Sequence, residues 1–581
     1  MLLDVKNKFG EDFMTLEERY KITSNDYMDL FVMYNGNLSI LEKYQNYTQQ
    51  IMNNRYAIIY VPVSEMTMSS IVSFGYAAFP SCYSLASQRS LEVSGVERLR
   101  GFTNFNLYGD GVLIGIVDTG IDYTNPIFIR EDGTSKIVSI WDQTIDSEDQ
   151  FPEGTFYGTE YTARQMNQAL ASSNPFEIVP SRDENGHGTA LAGIAAGNIV
   201  PDARFSGVAP AAGLAIVKLK EAKQNLRDFF FIPDGVPCYQ ENDIMWGVRY
   251  LVSVARRERR PMVILIGLSS SQGAHDGMGH LGSMLSIFGD LPSITVVLAA
   301  GNEGGSRRHF FSTIDPQVGN ITVELNVGDN ENSFAMELWG ETPNSYSVDI
   351  ISPSGEFVPR IGVGLQATRE ISFLFEDTIL YLDSKLVEIQ SGQQLILFRF
   401  RNPARGTWRF QVHSLGDLTG SIHVWLPSDN FISNGTYFLH ATPYTTITNP
   451  GNSIVPITIT AYNPDSNVLY VNASRGYSRI NTIKPELAAP GVNILSPTLD
   501  HGFQRITGTS AAAAHAAGIA AMILEWGIVR GNSPRIDAVE VKKLLIRGAN
   551  RRPDLSYPNR DWGYGTIDIF SVFNILRSDF L

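Results

Sequence analysis

Three short glycine-rich segments carry the side chains of an activated hydroxyl nucleophile. They are Val117-Asp118-Thr119-Gly120, Asn185-Gly186-His187-Gly188-Thr189 and Gly508-Thr509-Ser510. A serine hydroxyl attacks poorly until a base takes its proton. An imidazole serves as that base when a carboxylate fixes its tautomer and stabilises the imidazolium. In this chain Asp118 can be the carboxylate, His187 the base and Ser510 the nucleophile. Taken singly, each has a plainer use. An Asp after a strand is a turn or cap residue, a glycine-flanked His is structural, and Gly-Thr-Ser before an alanine-rich stretch is a helix N-cap. Their joint occurrence, each at an element junction and each beside glycines that let other backbone approach, points instead to nucleophilic catalysis.

The elements that would position them are readable. Residues 111–117 form a continuous apolar run ending at Asp118, and 215–219, 262–266 and 294–298 read alike. Such runs mark parallel strands covered on both faces. Stretches of helical length, 242–256 and 282–289, separate them. The alternation predicts an α/β, doubly wound, mostly parallel sheet whose site lies at the carboxyl ends of the strands. Small residues at 190–197 follow His187, and an alanine-rich stretch at 511–524 follows Ser510. From about 310 to 440 the helical pattern stops. Short strands at 321–325, 346–350, 395–400, 408–412 and 421–425 predict an inserted β-sandwich or jelly roll. Ahead of the body, strands at 30–34 and 56–61 flank a polar stretch of helical length, which predicts a small α+β module.

Composition removes other classes. The chain has 581 residues, 43% of them hydrophobic, enough for a large core and too many for global disorder. Its net charge of −15 argues against a nucleic-acid partner, which needs a basic footprint. Two cysteines, Cys82 and Cys238, exclude a disulfide framework and a Cys-rich zinc site. No basic stretch followed by a long apolar run opens the sequence, so no secretory signal is expected. The apolar stretch 511–524 is shorter than the ~20 residues of a spanning helix, so no membrane segment is expected.

These motifs resemble those of the subtilisin-family (S8) serine endopeptidases, over about 90–310 and 445–575. The resemblance makes Asp118, His187 and Ser510 the catalytic triad. Ala299-Ala300-Gly301-Asn302-Glu303-Gly304 resembles the family's oxyanion segment. It implies that Asn302 donates to the oxyanion together with the Ser510 N–H, and that Gly301 lies at the substrate. Gly267, Leu268 and Ser269 occupy the place of the edge that pairs with an extended substrate. The segments 207–210, 487–492 and 563–568 resemble further family landmarks. Two departures stand out. Ala514 replaces the usual proline before His515, and Ile127 replaces the carboxylate of a common calcium site, so no metal is expected there. No cofactor is implied.

The leading module resembles the family's prodomain. That implies autocleavage near Gln88-Arg89, with residues 85–88 in the substrate pockets and the prodomain bound in the active-site cleft as a product-like inhibitor. The expected domains are 1–88, 89–309 and 441–581 as a split protease body, and 310–440 as the jelly-roll insert. Cys82 and Cys238 then fall in different domains, and no bond between them is expected. The layout resembles the Csp germination proteases of spore-forming clostridia, the catalytically competent CspB type in particular. This implies a monomer, located in the spore cortex or coat region and otherwise cytoplasmic. Its protein substrate would be a cortex-lytic enzyme precursor, the pro-form of SleC. Two rival readings are a catalytically silent relative that binds and regulates a partner, and a chain whose β-insert is a carbohydrate- or partner-binding module. A third role for the insert is rigidity, raising the barrier to unfolding.

Overall fold

The computed structural model describes residues 26–34, 36–51, 56–66 and 89–100, the single residues 17, 21 and 78, and 105–579 apart from 154, 156, 362–365, 389 and 429–430. The chain divides into two compact units, Met1–Leu85 and Ala86–Leu581.

The first unit holds a three-stranded antiparallel sheet. Tyr56–Pro62 lies between Tyr27–Met33 and Thr48–Ile51. Leu30, Val32, Ala57, Ile59 and Val61 alternate inward and bury one face with Leu41. The polar stretch between the expected strands is not a single helix. Asn37 caps a one-turn helix, Leu38–Leu41, by accepting from the Ser39 N–H. The chain then turns at Glu42–Tyr44 and adds the third strand. Only Leu41 is buried along that helix, too little apolar surface to hold more than one turn.

In the second unit a nine-stranded mixed sheet forms the body of an α/β fold. Across it run Ile457–Asn463, Ile294–Ala299, Met262–Ile266, Leu113–Asp118, Gly213–Lys218 and Ile137–Asp142, all parallel to one another. Antiparallel strands close the edges, Val468–Leu469 on one side and Thr159–Thr162 on the other. Leu487–Pro490 pairs in parallel with Ile457–Asn463. Every residue of Leu113–Asp118, Gly213–Lys218, Met262–Ile266 and Ile294–Ala299 is buried, because helices cover both faces. Glu241–Glu258 and His280–Gly289 pack on one side. His187–Ala196 and Thr509–Leu524 pack on the other. The second of these continues as a wider turn to Val529. Among the described residues this helix is apolar and long enough to cross a membrane, yet 83% of its apolar window is buried in the fold. It is the central core helix, which explains its alanine content: small side chains let sheet and helices approach closely.

Between Ile294–Ala299 and Ile457–Asn463 the chain builds two antiparallel sheets, from His309–Ile314 to Tyr437–Phe438. One has six strands and the other five. Their inner faces share a core in which Phe334, Phe398, Phe400, Trp408 and Phe410 are fully buried. Strand Gln394–Arg401 alternates inward and outward along its whole length, the signature that made this region legible. Trp339, Trp408 and Trp425 are at most 5% exposed. They are packing residues, which removes them as a stacking platform for sugars.

Candidate active site

Asp118 is the last residue of Leu113–Asp118 and is fully buried. His187 is the first residue of His187–Ala196, and Ser510 the second of Thr509–Leu524. One strand end and two helix N-termini therefore converge. Asp118 Oδ1 accepts from the Thr119 N–H at 2.8 Å and lies 2.7 Å from His187 Nδ1. His187 Nε2 lies 3.2 Å from Ser510 Oγ. With Nδ1 donating to the carboxylate, Nε2 is left unprotonated and faces the hydroxyl. Burial works against charge on His187. The Asp118 charge and hydrogen bond, with the nearby charge of Asp183, outweigh it and raise the imidazole's proton affinity above its ordinary value.

Close backbone approach makes this geometry reachable. The Gly188 N–H donates to Thr119 Oγ1 at 2.9 Å, and a Cβ at Gly188 would meet the Gly120 carbonyl oxygen at 2.2 Å. Gly267 follows Met262–Ile266 and packs over the His–Asp contact. A Cβ there would lie 2.6 Å from Leu191 Cδ1, 3.2 Å from His187 Cε1 and 3.3 Å from Asp118 Oδ2. Leu268 is half-buried and Ser269 exposed, in an irregular segment that ends where Ser270 bridges Asn449.

Asn302 follows Ile294–Ala299 through Ala300 and Gly301. Its Oδ1 accepts from the Thr509 N–H at 3.1 Å, which fixes the amide plane. One point beside Gly508 lies 3.7 Å from Asn302 Nδ2 and 3.4 Å from Ser510 Oγ, so amide and hydroxyl face one small space. The Gly301 N–H donates to Thr509 Oγ1 at 3.1 Å, and its α-carbon is backed by Thr448 and Ser474. The structure thus brings Asp118, His187, Ser510, Asn302 and Gly267 together, and Gly301 sits beside Asn302 with its N–H on Thr509 Oγ1. Gln88 lies outside the described residues, and Arg89 opens the short helix Arg89–Val93.

Other residues hold this arrangement without a sequence signal of their own. Asp183 accepts four hydrogen bonds around the His187 turn. The signal that could have found it is the absence of a side-chain cap at Gly186, which leaves the first N–H groups of a buried helix in need of an acceptor. Where the family pattern has proline, Ala514 simply continues the helix. His515 is pushed down to about 3 by burial and then by the Arg100 charge, and its Nε2 meets Ser94 Oγ at 2.8 Å. Ile127 is buried in a short turn, Pro126–Phe128. Beside that turn the Lys136 ammonium reaches three oxygens, those of Asn198 Oδ1 and the Ala196 and Pro210 carbonyls. No group of three or more His, Cys, Asp or Glu among the described residues could hold a metal ion.

The sequence pattern of the subtilase family matches residues 109–320 and 412–565, more than half of the chain. The solved structure of the Clostridium perfringens CspB protease is 30% identical, with a TM-score of 0.76, over 85% of this chain and 98% of that one. The Arabidopsis thaliana subtilisin-like proteases SBT3.6 and SBT1.9 are 22% and 26% identical over 516 and 468 residues. These alignments take in 76% and 72% of this chain but only 59% and 57% of the plant proteins' length.

Proposed function

The chain belongs to the subtilase family, and from that premise we propose that it is an active serine endopeptidase. One observation carries the reading: Ser510 Oγ, His187 Nε2, His187 Nδ1 and Asp118 Oδ1 form a continuous hydrogen-bonded relay at 3.2 and 2.7 Å. In this reading His187 takes the Ser510 proton as Oγ attacks a peptide carbonyl, and Asp118 stabilises the imidazolium. The Asn302 amide and the Ser510 N–H then receive the oxyanion. His187 returns its proton to the leaving amine, and water repeats the sequence to free the enzyme. Gly267–Ser269 pairs with the extended substrate backbone. No cofactor takes part.

The substrate proposed is a cortex-lytic enzyme precursor, pro-SleC, activated by limited proteolysis during spore germination. Similarity to the clostridial CspB protease supports this. Residues 1–88 are proposed as a prodomain that is cut near Gln88-Arg89 and stays in the cleft of a monomer. We read the β-insert as a jelly roll. Strand order supports it: His309–Ile314, Gly420–Trp425, Ser333–Gly340 and Gln394–Arg401 in one sheet, and Asn320–Val327, Gly406–Leu415, Ser345–Ile351 and Phe357–Ile361 in the other. The hairpin Gln366–Ser372/Ile379–Lys385 extends the first.

The test is labelling by a fluorophosphonate probe and N-terminal sequencing, for wild-type and Ser510→Ala proteins side by side. Labelling and a new N-terminus near residue 89 in the wild type alone support the proposal. Folded wild-type protein that does neither would favour the silent, partner-regulating alternative, which the complete relay disfavours. Incubation with purified pro-SleC then tests the substrate.

A further inference from the structure

We propose that Asp183 is a positioning residue for the catalytic imidazole, holding His187 in register with the segment that carries Asp118. This rests on the peptidase reading above.

His187 stands at the start of a ten-residue helix whose N-cap, Gly186, has no side chain to offer and a φ of +89°. Asp183 supplies what is missing from three residues further back. Its Oδ1 accepts from the N–H groups of Asn185 at 3.1 Å and Gly186 at 2.8 Å. Its Oδ2 accepts from the Thr189 N–H at 3.0 Å and the Thr189 hydroxyl at 2.7 Å. Two donors precede His187 in the chain and two follow it, so one carboxylate grips the turn on both sides. Four donors saturate a carboxylate's ordinary capacity, and Asp183 is only 5% exposed.

The grip reaches the second catalytic segment. Thr189 Oγ1 also accepts from the Asp122 N–H at 2.9 Å, at the end of the turn that begins with Asp118. Asp183, Thr189 and Asp122 therefore latch the helix that carries His187 to the turn that carries Asp118.

The charge acts in the same direction as the geometry. The helix N-terminus presents positive dipole, which a buried carboxylate balances. Among the described residues the charged groups that act on His187 are Asp118 on the sheet and Asp183 on its own segment, and Tyr239, before helix Glu241–Glu258, lies near the same two carboxylates. Further out are the pairs Glu184–Lys218 and Asp122–His501. Glu184 is 69% exposed and its ion pair with Lys218 is local, whereas Asp183 is buried and makes no ion pair with a cation among the described residues. Its negative charge favours the imidazolium.

Asp183→Asn is the decisive change, because an amide must turn its NH2 toward one of the two donor pairs. The expected result is a fall of about tenfold or more in kcat with KM nearly unchanged. The acid limb of the kcat/KM profile should also move to lower pH, because a negative charge that favours the imidazolium is gone. Thr189→Val is the second variant. It removes one donor and the link to Asp122 but keeps the charge, so kcat should fall several-fold with the acid limb in place, and Thr189→Ser should restore it. In Ser510→Ala protein the ring titration of His187, followed by NMR with and without Asp183→Asn, reads the same shift without turnover. Folded Asp183→Asn with kcat and acid limb unchanged overturns the proposal. So does Thr189→Val with unchanged kcat if Asp183→Asn does not fold. Wild-type protein that fails to label with the probe sinks the peptidase reading instead, and the ring titration still decides the role of Asp183.

Discussion

Acid should unfold this protein steeply, and the reason lies in its buried imidazoles. His309 is fully buried where the β-insert begins. Its Nδ1 faces the Tyr444 carbonyl at 2.7 Å and so donates, which leaves Nε2 to accept from His423 Nδ1 at 2.9 Å. Protonating His309 would set one N–H against another. Burial, despite the Tyr444 hydrogen bond and helped by His275, pushes His309 down to about 3. Burial, with the Arg100 charge, pushes His515 to the same value. Both groups have an ordinary value of 6.5 in the unfolded chain. Below that pH the unfolded state binds more protons than the folded one, so stability falls as pH falls, through the window from 6.5 toward 3. Each group removes about 1.4 kcal/mol per pH unit. Between pH 7.5 and 4.5 the two together remove roughly 5 kcal/mol, a large part of a typical total of about 5–15 kcal/mol. His275 and His423 are also lowered by burial and steepen the loss. Glu337, raised by burial, works against it. The assay is guanidinium unfolding of Ser510→Ala protein, which cannot digest itself, followed by tryptophan fluorescence at one-unit pH steps. A loss below about 1 kcal/mol over that range would refute the reasoning. So would an unchanged pH slope in His309→Gln protein.

Three more outcomes follow from the site and its surroundings. Asn302→Ala removes one oxyanion donor and should lower kcat about 10²–10³-fold with little change in KM, read with a peptide anilide. Gly267→Ala places a methyl against Leu191 and His187, and should cost about tenfold in kcat and 1–3 kcal/mol in stability. Loss of stability with full activity would show that the ring does not move. Lys136→Met leaves three oxygens without their donor and should destabilise by about 3 kcal/mol in thermal unfolding, with the labelling rate per folded molecule unchanged.

The convergence of Asp118, His187 and Ser510 was legible because each sits at an element boundary, where a polar residue next to glycine breaks an apolar pattern. The fully buried strands Leu113–Asp118 and Met262–Ile266 were legible for the related reason that burial on both faces leaves no polar residue inside them. Ile137–Asp142 escaped because it carries Ser139 and Trp141, whose polar atoms are satisfied by Glu160, Tyr250 and the Tyr157 carbonyl, contacts made only after folding. Thr48–Ile51 escaped because four residues beside a helix turn show neither period clearly. Asp183 escaped because its role is a set of bonds to backbone N–H groups, which no side-chain pattern records. The buried histidines could not be distinguished from surface ones, since what lowers their proton affinity is packing contributed by distant segments.

The central helix Thr509–Leu524 has a consequence for the order of synthesis. Ser510 emerges from the ribosome 323 residues after His187, once both sheets of the insert have been made. The same helix covers one face of the main sheet, so the body cannot close before the nucleophile is present. On the peptidase reading, a nascent chain that has not reached Ser510 carries His187 and Asp118 alone, and should not cut itself or its neighbours on the polysome. The power to hydrolyse and the closed body arrive together.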